Sequence, residues 1–179
     1  MRYNTIIPND IVNGEGVCVS FFTQGCPHHC PGCFNEETWD FKGGQEYTDH
    51  TKWLIIELLS ANGVKRNFSV LGGEPMCPEN LNMTKEVVSA VRSAYPDIKI
   101  FLWTGYTYSD LMQMSGEHLV KILEILQQID VLIEGPFIEA EKDLSLKLRG
   151  SRNQHIRVKE GNYWVIQENE QDNSFKRKI

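Results

Sequence analysis

Four short runs rich in β-branched and aromatic residues recur along this chain, with a helical pattern between each and the next, and this alternation limits the fold more than any other feature. Val17 to Thr23, bounded by Gly16 and Gly25, reads as a buried strand. A helix follows, capped by Thr48 or Asp49, carrying Leu54, Ile55, Leu58 and Leu59 and stopping at Gly63. Phe68 to Leu71 is a second strand, ending in Gly72-Gly73-Glu74-Pro75. Val87, Val88, Val91 and Tyr95 mark a helix closed by Pro96, and the strand Ile98 to Trp103 runs into Thr104-Gly105. Leu119, Ile122, Leu123, Leu126 and Ile129 give the clearest helical stripe, leading to Val131 to Ile133 and a break at Gly135-Pro136. Alternation of this kind predicts an α/β fold with a mostly parallel sheet and crossover helices. A complete eight-stranded barrel takes about 250 residues. With 179 residues the expectation is one domain over 1–167, an incomplete (partial) β/α barrel with an open, curved sheet. His155 to Ile166 reads as a hairpin turning at Glu160-Gly161-Asn162, and the polar stretch 168–179 as a tail.

In such sheets ligands sit at the C-terminal ends of the strands. Three candidate segments fall there: the loop after Thr23, Gly72 to Pro75, and Thr104-Gly105. The first of these carries Cys26-Pro27-His28-His29-Cys30-Pro31-Gly32-Cys33. Five cysteines in all, three of them within eight residues, fit a disulfide framework poorly and fit metal binding well. The formal net charge of −6 argues against a nucleic-acid partner. The opening residues lack the apolar region of a secretory leader, and no apolar run approaches the ~18 residues that would span a bilayer, so a cytoplasmic location and no membrane partner are expected.

Three thiolates on one short loop can wrap a four-iron cubane while leaving one iron without a protein ligand, whereas electron-carrier clusters use four cysteines. An open metal position is what chemistry at the metal requires. The competing account is a structural zinc held by Cys26, Cys30 and Cys33 with His28, His29 or His50 as fourth ligand, in a binding module that uses the metal only to fold. Cys18 and Cys77 lie outside the spacing. Cys18 reads as a small buried residue, and Cys77, just after Pro75, falls near the site.

The spacing C-x3-C-x2-C after a strand, followed by a strand ending in Gly-Gly-Glu-Pro, resembles the radical S-adenosylmethionine superfamily. Within it, Val12 to Gly16, Gly25 to Asn35, Trp103 to Tyr106, Asp130 to Phe137 and Arg149 to Gln154 resemble the family that activates anaerobic ribonucleoside-triphosphate reductase. The superfamily often places an aromatic residue just before the third cysteine. Here Gly32 stands there and Phe34 follows, which matches the small reductase-activating branch.

The resemblance implies a 4Fe-4S cluster on Cys26, Cys30 and Cys33, with S-adenosylmethionine chelating the open iron. One electron, from a reduced flavodoxin- or ferredoxin-type donor, would then give methionine and a 5′-deoxyadenosyl radical. The implied cofactor-binding residues are Gly32, Cys33, Phe34, Gly72, Gly73, Glu74, Thr104 and Asp130. Gly72 and Gly73 allow close backbone approach, and Glu74 is an acceptor able to meet the ligand's ammonium group. Gly32, Cys33 and Phe34 are suited to line the adenine. Thr104 and Asp130 are candidates for the methionine or ribose. Each has a plainer counterpart: a strand-ending turn at Gly72 to Pro75, a core position for Phe34, and helix capping for Thr104 and Asp130. Arg149 to Gln154 is either a solvated segment or a piece of the cofactor or partner surface, and no catalytic role is assigned to it. A chain this short is expected to lack a second domain able to enclose a small substrate, so a macromolecular partner inserting a flexible loop is expected to close the site. By resemblance that partner is the large subunit of the anaerobic reductase, with a Gly near its C-terminus as hydrogen donor; a superfamily enzyme acting on a small molecule is the alternative.

Overall fold

Side chains on a strand point alternately to its two faces, and the buried strands of this chain use both. The computed structural model describes residues 1–167; the tail expected over 168–179 lies outside the described residues. One sheet has eight strands: β1 (Arg2–Asp10), β2 (Cys18–Thr23), β3 (Gln45–Glu46), β4 (Asn67–Gly72), β5 (Ile100–Thr104), β6 (Val131–Glu134), β7 (His155–Glu160) and β8 (Tyr163–Ile166). Their spatial order is β3-β1-β2-β4-β5-β6-β7-β8. The helices are α1 (Asp49–Ser60), α2 (Leu81–Ala94), α3 (Tyr108–Gln113) and α4 (Gly116–Gln128).

Val19 and Phe21 of β2, Phe68 and Val70 of β4, Ile100 and Leu102 of β5 and Leu132 of β6 belong to the main core, together with buried residues of the helices. Ile55 and Leu59 of α1, Val87, Val88 and Val91 of α2, and Ile122, Ile125 and Leu126 of α4 complete that layer. Each fully buried Phe, Leu or Ile there contributes about 1.5–3 kcal/mol. Leu123, on the stripe read from the sequence, is instead exposed. The alternate positions Phe101, Val131 and Ile133 form a smaller cluster, with Trp103 and Leu148 packed against it. Phe22, Leu71 and Trp103 border a cavity. The helices thus cover one face while the other is left for the site.

The α1 cap is a reciprocal pair: the Thr48 hydroxyl accepts from the Thr51 backbone, and the Thr51 side chain satisfies the Thr48 N–H. At the far end of α2, Arg92 donates to the Gln128 carbonyl and pairs with Asp130 at 2.6 Å. That contact ties the start of β6 to the helix layer.

The pairings β2·β4, β4·β5 and β5·β6 are parallel, as expected. The expected mostly parallel sheet is nevertheless corrected to a mixed one, because β1·β2, β1·β3, β6·β7 and β7·β8 are antiparallel. A parallel return needs a crossover of a dozen or more residues, usually a helix. Residues 11–17 are too few, and 135–154 hold only the short turn Glu139–Glu141. β7 and β8 form the expected hairpin, with Glu160 opposite Tyr163. The result is an open α/β sheet whose two edges do not meet.

Candidate functional site

Thr23, Gly72 and Thr104 end β2, β4 and β5 at the same edge of the sheet, with Thr23 opposite Gly72 in register. The cysteine loop hangs from the first of these ends. Gly25 opens it at φ +95°, where a Cβ would lie 2.2 Å from the Phe41 ring, so only glycine fits. The loop is then tied down by backbone bonds: Gly25 N–H to the Thr38 carbonyl at 2.7 Å and Cys26 N–H to the Trp39 carbonyl at 3.1 Å. From the β4 end, Glu74 N–H donates to the Gly25 carbonyl at 2.8 Å. Asn80, buried, donates from Nδ2 to the carbonyls of Gln24, Gly25 and Glu74. Gly73 lies so close that a Cβ there would sit 2.5 Å from the Gly25 carbonyl oxygen.

Cys26, Cys30 and Cys33 all line one cavity of about 690 Å³, with Phe34, Gly72, Gly73, Glu74 and Thr104. A volume of that order suits a ligand of cofactor size. Burial pushes the Cys26 thiol up to about 11 and raises that of Cys30, because the thiolate is poorly solvated there. A bound cation reverses that preference, since a coordinating thiol is deprotonated. The Asn35 N–H already points at the Cys33 sulfur, 3.4 Å away. Among the described residues no three Cys, His, Asp or Glu side chains converge on a single metal ion. Of the three histidines weighed for zinc, His28 lines the cavity but is bonded to Glu74, His29 is stacked on Trp39 at 4.8 Å, and His50 is exposed on α1. Three thiols spread around one cavity fit a multi-iron cluster better than one tetrahedral ion.

Glu74 is buried, and its carboxylate is fully occupied. Oε1 accepts from Met76 N–H and the Thr104 hydroxyl, both at 2.8 Å. Oε2 accepts from Gly105 N–H at 2.7 Å and His28 Nε2 at 2.9 Å. A carboxylate has about four lone-pair sites, so all four are used. Glu74 therefore joins β4, β5 and the cysteine loop as a hub. Thr104, expected to reach the ligand, donates to Glu74 and accepts from Tyr106 N–H. His28 completes the hub, its ring edge-on to Tyr106 at 4.5 Å. Its place two residues after Cys26 is the sequence signal for it, read there only as a possible zinc ligand.

Phe34 is not core: it is 54% exposed at the cavity, edge-on to Phe137, with the Lys142 ammonium 4.8 Å from its ring centroid. Gly32 does not border the cavity; a Cβ there would meet the Glu139 carboxylate at 2.8 Å. Asp130 is a correction. It precedes β6, at the N-terminal edge opposite the cysteines, where it accepts from Arg92 and from Ile100 N–H. Cys77 and Cys18 are both buried and outside the cavity lining, and burial raises both thiols. In contrast, Leu146 to Gly150 and Gln154, left without a role from sequence, do line the cavity.

Fold and loop together define a class: an α/β sheet presenting a three-cysteine loop, fit for an iron–sulfur cluster, at the ends of its parallel strands. Residues 12–157 match the family described as a 4Fe-4S single cluster domain. The chain is 40% identical over 157 residues to the anaerobic ribonucleoside-triphosphate reductase-activating protein of Vibrio cholerae, covering 87% of this chain and 97% of that protein. The proteins of that name from Escherichia coli K12 and Enterobacteria phage T4 are each 37% identical, covering 87% of this chain and 97% and 93% of theirs. The chain belongs to the 4Fe-4S single cluster domain family and, within it, to the anaerobic ribonucleoside-triphosphate reductase-activating proteins. Among the described residues no helix is long and apolar enough to cross a membrane.

Proposed function

We propose that this chain is a glycyl-radical-enzyme activase, a radical S-adenosylmethionine oxidoreductase whose cluster is held by Cys26, Cys30 and Cys33 and whose target is anaerobic ribonucleoside-triphosphate reductase. The observation that carries this is the convergence of those three cysteines with the Gly72 to Glu74 strand end on one cavity, in a chain whose relatives bear the activating-protein name. Bound together, the cluster and S-adenosylmethionine would supply the hard chemistry, in which one electron from a reduced flavodoxin- or ferredoxin-type donor yields a 5′-deoxyadenosyl radical that takes hydrogen from a Gly of the reductase's large subunit.

The chain's own part is placement and exclusion. Gly72 and Gly73 present bare backbone to the cavity, leaving room for a ligand against the sheet edge. Glu74, through Thr104, Gly105 and His28, fixes the loop that carries the cysteines. The exposed Phe34 ring offers a face for a purine. Ile11 and Val12, which line the same cavity, are 76% and 73% exposed. Such an apolar rim is covered at low cost by a protein partner, whose loop would then shut water out of the site. Radical chemistry of this kind needs reduced thiols, which suits a cytoplasmic setting, and we assign it to a single working domain over 1–167.

The test is anaerobic reconstitution, with about four iron and four sulfide expected per chain. Reduced enzyme, S-adenosylmethionine and a reductase carrying Cα-deuterated Gly should then give a glycyl signal in electron paramagnetic resonance and deuterium in 5′-deoxyadenosine. Cys26→Ala, Cys30→Ala and Cys33→Ala should each abolish cleavage, and Cys18→Ala should not. Cleavage without deuterium transfer would reject the activase role in favour of a small-molecule substrate.

A further inference from the structure

We propose that the loop 142–151 is a hinged flap on the cysteine cavity and that the ion pair between Lys147 and Glu15 is the clasp that holds it shut. The proposal rests on the reading that S-adenosylmethionine occupies that cavity, and it names how such a ligand passes in and out.

The loop leaves the end of β6 and returns to β7, and its two limbs meet at the base. Lys142 and Ser151 form an isolated antiparallel bridge, Asp143 N–H donates to the Gly150 carbonyl at 3.1 Å, and Arg152 N–H donates to the Glu141 carbonyl at 3.0 Å. On the return limb Gln154 Oε1 accepts from Gly150 and Ser151 N–H, while its Nε2 donates to the Gly135 carbonyl at 2.9 Å, a latch that fixes this limb to the end of β6. The hinge is therefore firm. The tip is held far less: among the described residues, 143–148 is hydrogen-bonded to the chain outside 141–154 at two points. These are Trp103 Nε1 to the Leu148 carbonyl at 2.8 Å and Lys147 Nζ to Glu15 at 3.2 Å. Leu148 itself holds φ +60°, a sparsely populated conformation for a residue other than glycine. Lys147 and Leu148 border the cysteine cavity and also a second cavity of about 300 Å³, so this stretch is a partition between two open spaces.

The other jaw is rigid. Ile11 to Gly14 line the cysteine cavity, and Asp10 fixes them by accepting from Val12 N–H at 2.8 Å, Asn13 N–H at 3.2 Å and Asn13 Nδ2 at 2.7 Å. Asn67 Nδ2 donates to the Glu15 carbonyl at 2.8 Å, and the second carboxylate oxygen of Glu15 accepts from Lys99 at 2.7 Å. Glu15 thus keeps its place and a counter-charge when Lys147 departs, and only the flap moves. Lys147 is 66% exposed and Glu15 41%, and a pair this open to water holds weakly. Weak holding suits a clasp that biases the flap shut yet releases it for ligand exchange, as lids over reaction sites do.

The experiment compares full-length wild type, Lys147→Gln and Lys147→Arg by hydrogen–deuterium exchange of the peptides covering 142–151. Loss of the pair in Lys147→Gln should speed exchange there by roughly two- to fivefold, and Lys147→Arg should restore the wild-type rate. Raising salt from about 0.05 to about 0.5 M should speed exchange in wild type and leave Lys147→Gln unchanged, because only the former has an ion pair to screen. In cluster-loaded protein, Lys147→Gln should raise the association and dissociation rates of S-adenosylmethionine by the same factor, with Kd within about twofold of wild type. Exchange unaltered by the substitution or by salt would overturn the clasp. A faster dissociation alone, with Kd raised in step, would overturn it too, since it would put Lys147 on the ligand. Wild type that binds no S-adenosylmethionine would overturn the cofactor reading, and the exchange measurements, which need no ligand, would still decide the clasp.

Discussion

Replacing Glu74 by Gln keeps the side chain's shape and removes its charge, and the hydrogen bonds around it determine the cost. Each carboxylate oxygen faces one backbone N–H that cannot turn away, Met76 on Oε1 and Gly105 on Oε2, and one partner that can adjust, the Thr104 hydroxyl and the His28 ring. An amide supplies one acceptor oxygen and one NH2 group. Whichever way it is turned, the NH2 confronts one of the two backbone donors and leaves it unpaired in a side chain only 1% exposed. An orphaned buried donor costs about 1–3 kcal/mol, and loss of charge assistance in the remaining bonds brings the expected destabilisation to roughly 2–5 kcal/mol. Against a total stability of about 5–15 kcal/mol this is a large fraction. Urea unfolding of anaerobically purified wild type and Glu74→Gln would show it as a lowered midpoint at unchanged slope. The cysteine loop should lose order with it, so iron content after reconstitution should fall as well. A change below about 0.5 kcal/mol with full iron loading would refute the hub, because surface substitutions fall within that range.

Gly73→Ala would drive a methyl group to 2.5 Å from the Gly25 carbonyl, the residue just before Cys26. Reduced iron loading with retained far-ultraviolet circular dichroism is expected, and wild-type loading would show that the loop tolerates displacement. A pH effect is expected at Glu15, whose carboxyl is held below its ordinary value by hydrogen bonds first from Lys99, then from Lys147. A lowered carboxyl value stabilises the fold above the usual glutamate range, and that contribution is lost as pH falls through the folded value. Glu15→Gln should therefore flatten part of the acid-side loss of stability; identical slopes of urea midpoint against pH for the two proteins would rule this out.

The sequence by itself determined element type and the chemistry of the loop. Periodicity is a local property: the stripe of Val87, Val88 and Val91, the cap at Thr48 and the runs ending at Thr23, Gly72 and Thr104 were each legible over a few residues. Cys26, Cys30 and Cys33 were legible for the same reason, since their spacing is a property of one short loop. Asp130 was misplaced in the sequence reading, although a residue preceding a strand lies at the strand's wrong end for this site. What only the tertiary structure decided was set by contacts between distant segments. The direction of β1 and β7 followed from whether their connections were long enough, or helical enough, to cross over. The bonds that make Glu74 a hub come from donors at positions 28, 76, 104 and 105, and no local pattern counts them. Arg149 reads from the sequence as one basic residue among several. Its position in the cavity is fixed by Trp103 and by the Gln154 latch, across chain separations that periodicity does not encode.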